Sequence, residues 1–501
     1  MASSQASTRP VKQAADTPES EQRATLVWFR RDLRLDDNPA WQAALARGGQ
    51  PIPVFIWAPE EEAPWAPGAA SRWWLHHSLS ALQERLAAAG CPLIIRRGPT
   101  QHAMQDLLRQ TGATAVFWNR LYEPAVLERD KAVKTALRAA GVDARSFNSS
   151  LLHEPWTVQT QQGKPYQVFT PFYRTCQQVG DPSRPVPSPA PAARRRTTLT
   201  SLELDSLKLR PDRPWDAGLR DSWQPGEAGA LALLENFAAG PVARYQQARD
   251  LPAESSTSRL SPHLHFGEVG PRQIWWAIRQ ARHGAAAEPY LRQLVWREFA
   301  HHLLYHFPHT PTQPLRPEFS AFPWHADAKG LKRWQRGLTG YPIVDAGMRE
   351  LWHTGWMHNR VRMIVASFLV KDLLIPWQEG AAWFWDTLVD ASLANNTLGW
   401  QWTAGCGADA APFFRVFNPA LQGEKFDPQG IYVRRWVPEL ASVPDRWIHR
   451  PEEATTPAGK SPSGRHATPY PPPVVDHAKA RDRALQAYSH LRAGGASSEK
   501  D

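Results

Sequence analysis

Asn359, Arg362, Met363 and Ala366 fall at i, i+3, i+4 and i+7, one stripe of a helix that the sequence predicts over 359–373. The opposite stripe, Val361, Ile364, Val365, Phe368 and Leu369, is apolar and belongs in a core. The first stripe is neither a solvated charge face nor a second core. It offers a fixed amide, a guanidinium, a thioether and a small residue, where a flat ligand can approach. Asp390 follows the aromatic run Trp383, Phe384, Trp385 and is placed to pair with Arg362. Asn395 to Gly399 predict a turn-rich segment leading into Trp400, Gln401 and Trp402. Taken singly, each is an ordinary loop or core residue. Together, a buried arginine, aspartate and asparagine among tryptophans call for a shared ligand.

Other segments must hold these residues. In STSRLSPHLHF, from Ser256, Ser261 reads as an N-cap with Pro262 at the first helical position. Thr257, Ser258 and Ser261 then bring hydroxyls and backbone N–H groups to a helix start, which suits a diphosphate. EPYLRQLVWREFAHHLLYHFP carries Trp296 on an amphipathic helix. Upstream, LVWF (26–29), PVFIW (53–57), PLIIR (92–96), AVFW (115–118) and a weaker run at 144–147 read as strands. Helical stretches near 39–46, 71–89, 100–111 and 124–140 alternate with them, so a five-stranded parallel, Rossmann-like sheet is expected. No G-x-G-x-x-G follows the first strand, so a dinucleotide fingerprint is absent.

The expected organisation is a disordered tail at 1–24, an α/β domain at 25–150 and a Pro-, Ser- and Arg-rich surface linker at 151–225. An all-α domain follows at 226–450, then a mostly irregular tail at 451–501 with one exposed helix at 477–492. Arg194 to Arg196 read as solvated linker charge. The 58 basic and 48 acidic residues leave a net charge of +10, which fits a polyanionic partner. Cys91, Cys176 and Cys406 share no metal-type spacing and argue against a disulfide framework and a four-thiolate cluster. No metal site is expected. The N-terminus lacks an apolar signal region, and no run of about 18 apolar residues suggests a membrane span. The 24 tryptophans are the compositional anomaly, and they crowd the second half.

The motifs HNRVRM (358–363), GWQW (399–402) and FNPALQGEKFD (417–427), with WFRRDLRLDDNPAW (28–41), resemble the photolyase/cryptochrome family over roughly residues 25 to 450. Within it the chain looks most like the members that repair cyclobutane pyrimidine dimers. The resemblance implies an N-terminal antenna domain and an all-α flavin-binding domain holding one U-shaped FAD, reduced in the active form. It implies Tyr245, Thr257, Ser258, Leu260 and Ser261 around the flavin phosphates. Asn359, Arg362 and Asp390 belong to the ring region, with Asn396 against flavin N5. Trp296 and Trp402 are implied to clasp a flipped dimer, with Gln293, Asn359 and Met363 beside it and Arg360 and Arg415 near strand phosphates. Trp400, Trp377 and Trp324 match an electron chain that refills an oxidised flavin.

The chain departs from the family pattern at several positions. Gln293 stands where many repair members have Glu, and Ser392 where Asp-x-Asp is usual. Thr397-Leu398 replaces a common Asn-Gly. Ala125 and Val126 occupy positions used for folate in well-known bacterial members, leaving methenyltetrahydrofolate in another geometry, a deazaflavin, or no antenna open. The expected activity is light-driven dimer repair, with UV-damaged single- or double-stranded DNA as partner. The protein is expected to be a monomer in the cytoplasm, associated with the nucleoid. The alternative is a cryptochrome-type photoreceptor, which Asn396 disfavours because plant cryptochromes carry Asp there. Repair of the 6–4 lesion is disfavoured because Asn359 and Arg360 follow His358.

Overall fold

The computed structural model describes residues 24–189, 199–281, 283–410, 414–454 and 470–498. The tail at 1–23, Arg194 to Arg196 and residues 455–469 lie outside the described residues. Strands β1 (Thr25–Phe29), β2 (Pro51–Trp57), β3 (Ile94–Arg97), β4 (Ala115–Asn119) and β5 (Asp143–Phe147) pair in parallel, in the order β3-β2-β1-β4-β5. The period-2 rule sorts their side chains onto two faces. Val27, Phe29, Phe55 and Phe117 face Trp41, Trp73 and Trp74 from helices α1 (Pro39–Arg47) and α2 (Ala69–Ala88). Leu26, Trp28, Val54 and Val116 face Met104, Leu107, Val133 and Leu137 from α3 (Thr100–Thr111) and α4 (Pro124–Ala139). With both faces covered, the central strands β1, β2 and β4 show near-continuous apolar runs, whereas the edge strands β3 and β5 carry arginines and polar residues.

Within 151–225, helix α5 (Phe169–Val179) buries Phe169, Phe172 and Cys176 in a core shared with the second half of the chain. That half is helical. The elements that shape the site are α6 (Ser261–His265), α7 (Glu288–His306), α8 (Pro342–Thr354) and α9 (Asn359–Ser367). A π-helical turn (Phe368–Asp372), α10 (Trp377–Thr387) and α11 (Leu393–Ala404) follow. The apolar stripe of α9 is buried as expected, with Val361, Ile364, Val365, Phe368 and Leu369 all in the main core.

Three expectations need correction. The helix from Asn359 is α-helical only to Ser367 and widens into the π turn, a feature frequent at functional sites. The segment 395–399 is not turn-rich. It lies inside α11, whose start is set by Ser392 accepting from the Asn395 N–H. Helix α12 (His477–Ser498) is docked, not simply exposed. Ala480 and Ala484 let it approach closely, and His477 Nδ1 lies 2.5 Å from Asp372 Oδ1 of the π turn. Among the described residues, no helix is long and apolar enough to cross a membrane.

Candidate active site

Two cavities meet beneath the start of α9. The first, about 280 Å³, is lined by Tyr245, Thr257, Ser258, Leu260 and Ser261 together with Asn359, Arg362 and Asp390. These residues, far apart in sequence, are brought together in its wall. The helix start differs in detail: Leu260 holds the cap position in an α-like conformation, and Ser261 is the first helical residue. The Ser261 hydroxyl therefore accepts from Trp356 Nε1 at 3.2 Å instead of capping, and Ser258 Oγ accepts from the Tyr290 hydroxyl at 3.0 Å.

The electrostatics of this chamber favour an anion. Arg31, Arg249, Arg297 and Arg362 line it against two carboxylates, Glu123 and Asp390, a formal balance of +2. Burial opposes ionisation of Glu123, but the Arg31 guanidinium holds its carboxyl down to about 2. His265 and His301, also in the wall, are pushed down to about 3 by burial and then by Arg31 and Arg297 respectively. Both imidazoles are thus neutral near pH 7 and add no charge.

The second cavity, about 580 Å³, has the whole predicted stripe of α9 in its wall: Asn359, Arg362, Met363 and Ala366. Gln293 and Trp296 enter from α7, and Asn396, Trp400 and Trp402 from α11. The two chambers share Arg249, Gln293, Arg297, Asn359, Arg362, Asp390 and Asn395, so they adjoin as one space. Arg362 is fixed at this junction: Nη2 donates to both Asp390 oxygens, at 3.0 and 2.8 Å, and Nε donates to the Met357 carbonyl at 2.8 Å. One Asn396 amide hydrogen goes to the Ala381 carbonyl at 3.0 Å, leaving Oδ1 and the second N–H for the cavity. Trp400 is 2 % exposed and its buried Nε1 has no partner. It packs so closely on α10 that a Cβ on Gly380 would fall 2.0 Å from its ring, so only glycine fits there. Gln293 donates to the Pro289 carbonyl at 3.3 Å, which leaves its other amide hydrogen uncommitted.

The remaining expected residues sit further out. Trp377 is buried in the core that contains Trp400, and Trp324 is half-buried against the same core. Arg360 lines neither chamber; it pairs with Asp250 at 2.8 Å and lies over the Phe426 ring. Arg415 is exposed, and its carbonyl accepts from the buried Lys371 ammonium. The sequence reading missed Arg249, Arg297, Tyr290 and Trp356. Helical spacing held a signal for two of these: Arg249 lies four residues after Tyr245, and Arg297 four after Gln293. Arg31 and Glu123 gave none, because they reach the site from the sheet domain.

A third cavity of about 220 Å³ adjoins the first and shares Arg31 and Glu123 with it. Glu62, Trp65 and Trp385 line it, the two indoles edge to face at 5.5 Å, and Ala125 and Val126 lie in its wall.

Residues 25–192 match a family described as DNA photolyase, and residues 290–490 match the FAD binding domain of DNA photolyase. The chain is 49% identical over 471 residues to a deoxyribodipyrimidine photo-lyase of Agrobacterium fabrum, covering 93% of this chain and 98% of that protein. It is 43% identical to cryptochrome-2 of Arabidopsis thaliana, covering 93% of this chain and 79% of that one. The crystal structure of a bacterial class III photolyase from Agrobacterium tumefaciens superposes with a TM-score of 0.90 at 47% identity, covering 97% of this chain and all of that one.

Proposed function

This chain belongs to the photolyase/cryptochrome family, and on that premise we propose that it is a deoxyribodipyrimidine photo-lyase, splitting cyclobutane pyrimidine dimers in DNA under light. The adjoining pair of chambers fits FAD. The +2 balance of the first offsets the two negative charges of a diphosphate, beside the hydroxyls of Thr257, Ser258 and Ser261. The second offers a flat ring the wall of Asn359, Arg362, Asp390 and Asn396. When bound and reduced, FAD supplies a light-excited electron donor at this junction.

The chain's own residues do the rest. Asn396 is the partner assigned to flavin N5; being neutral, with an acceptor and a free N–H, it adds no charge that would favour one protonation state. Trp296 and Trp402 give a flipped dimer aromatic faces in the same chamber. Extrusion from the duplex costs a few kcal/mol, least at a damaged step, and stacking returns roughly 1–3 kcal/mol per base. Gln293 directs its free amide hydrogen to a pyrimidine carbonyl, while Met363 and Asn359 close the wall. Arg415, exposed, and Arg360, braced by Asp250, serve the strand phosphates. Trp400, Trp377 and Trp324 carry electrons inward from the surface when the cofactor is oxidised. Action as a monomer on dimer-containing DNA in the nucleoid is part of the same proposal. If an antenna is carried, the third cavity would hold it, with Trp65, Trp385 and Glu62 in its wall. The absorption spectrum of the released chromophore distinguishes a folate from a deazaflavin.

The observation that carries this reading is the shared junction: Asn359 and Arg362 of the α9 stripe line both chambers, and Met363 and Ala366 continue the stripe into the aromatic one. The photoreceptor reading explains the first chamber but gives no use to Trp296, Trp402 and Gln293 converging on the second. Illumination of the reduced holoprotein with a dimer-bearing oligonucleotide is expected to restore the ultraviolet absorbance of the bases. No recovery from fully reduced protein would favour the photoreceptor.

A further inference from the structure

The two tryptophans of the lesion chamber stand on different helices, Trp296 on α7 and Trp402 on α11. The two helices pack directly on each other, and a chain of contacts outside both also joins the two indoles. Trp402 Nε1 donates to the Asp409 carbonyl at 3.1 Å. Asp409 Oδ1 accepts the Phe169 backbone N–H at 3.3 Å, and the Asp409 N–H donates to the Gln167 carbonyl at 3.1 Å. The Phe169 ring, 1 % exposed, lies flat on Trp296 with centroids 3.7 Å apart and planes at 7°. Arg292 lies over the Phe169 ring as well.

The link is stiff. The N–H groups of Gly405, Cys406 and Gly407 all donate to the Gln401 carbonyl, pinning the loop after α11. A Cβ on Gly407 would sit 2.8 Å from the Gln401 Cβ, so the turn has no slack. Asp409 itself holds φ 50, the left-handed region that Asp and Asn tolerate better than other side-chain-bearing residues. It also lines the lesion chamber.

We propose that Asp409 is a positioning residue that, through Phe169, fixes the spacing of Trp296 and Trp402 and thereby selects a dimer over undamaged bases. The proposal rests on the reading that these two tryptophans clasp the lesion. Asp409 needs no contact with DNA for this role. Its side chain supplies one acceptor to the Phe169 N–H, its carbonyl another to the Trp402 indole, and its residue type permits the turn.

The test uses the FAD-loaded protein and compares binding of dimer-bearing and undamaged oligonucleotides. Asp409→Gly keeps the turn and loses the acceptor; Asp409→Asn keeps both and loses the charge. Asp409→Gly is expected to weaken dimer binding about tenfold, the scale of one misaligned stacking face, with undamaged DNA unaffected. Asp409→Asn is expected to bind like the wild type. Trp402→Phe keeps a ring but loses the indole N–H, and adding Asp409→Gly to it is expected to cost less than the separate losses combined, because both cut one linkage. Wild-type selectivity in Asp409→Gly, equal losses on both DNAs, or full additivity would overturn the proposal. Trp296→Ala and Trp402→Ala separate the two levels. If neither lowers selectivity, the clasp reading itself fails; if both do and Asp409→Gly does not, only the spacing role fails.

Discussion

Trp377→Phe separates two uses of light at a single residue. Trp377 is buried in the core with Trp400 and does not line the lesion chamber. Phenylalanine is much harder to oxidise, so photoreduction of the oxidised holoprotein is expected to fall to background. Chemically reduced variant is expected to repair at the wild-type rate; loss of both activities would make Trp377 structural. Gln293 poses a different question, whether dimer splitting needs a hydrogen bond or a proton. An amide does not titrate, and Glu123, His265 and His301 in the adjoining wall titrate at about 2, 3 and 3. The splitting yield of pre-reduced protein at saturating lesion is therefore expected to be flat from about pH 6 to 8, whereas Gln293→Glu should lose yield as its carboxyl ionises. A steep wild-type profile would refute the amide role. It would point to Glu350 or Glu298, both pushed up to about 7 by burial, and not to His358, which burial pushes down to about 4.

At the scale of an element, α11 is the helix whose placement matters most, because Asn396, Trp400 and Trp402 all ride on it. Its start depends on Ser392, which stands where the family usually has a second Asp. Ser and Asp are comparable N-caps, so the departure preserves the helix start while removing a charge. Ser392→Ala is expected to cost about 1 kcal/mol of stability and to lower FAD retention, and Ser392→Asp to restore both. Thermal melting and cofactor content read this out. An alanine variant that melts and retains FAD like the wild type would show that packing of α11 on α7 and α10 is sufficient.

For the whole molecule, the buried carboxyls set a pH trend. Glu350, on α8, accepts from the Tyr432 hydroxyl at 2.6 Å and from the His358 N–H at 3.2 Å, and burial pushes it from 4.5 up to about 7. Glu298, on α7, accepts from the Leu152 and His153 N–H groups and shifts likewise to about 7. Between pH 4.5 and 7 the folded chain holds protons on these groups that the unfolded chain has released. Their stabilisation is thus complete below about pH 4.5 and is lost as pH rises through about 7. Glu350→Gln keeps an acceptor for Tyr432 and cannot ionise. It is expected to shrink the difference between melting temperatures at about pH 5 and 7.5, and an unchanged difference would show that Glu350 does not titrate in this window.

The sequence by itself determined the parallel sheet, because central strands buried on both faces must be apolar and their runs are visible without context. It also determined which face of α9 lines a cavity, since a stripe that is neither core nor solvated charge is a local property of period 3.6. The Arg362–Asp390 pair was expected from opposite charge, and the gathering of Tyr245 with the 257–261 hydroxyls only from the family resemblance. The start of α11 was misread because Asn and Gly count as turn formers until a cap and a packed neighbour override propensity. The docking of α12 was missed because an alanine face looks weakly apolar until a partner surface approaches it. Only the tertiary structure decided the rest. Arg31 and Glu123 reach the cofactor chamber from the sheet domain, and Asp409 joins Trp402 to Phe169 across some 240 residues of chain. Such contacts follow from how separately formed elements pack, and no local periodicity encodes them.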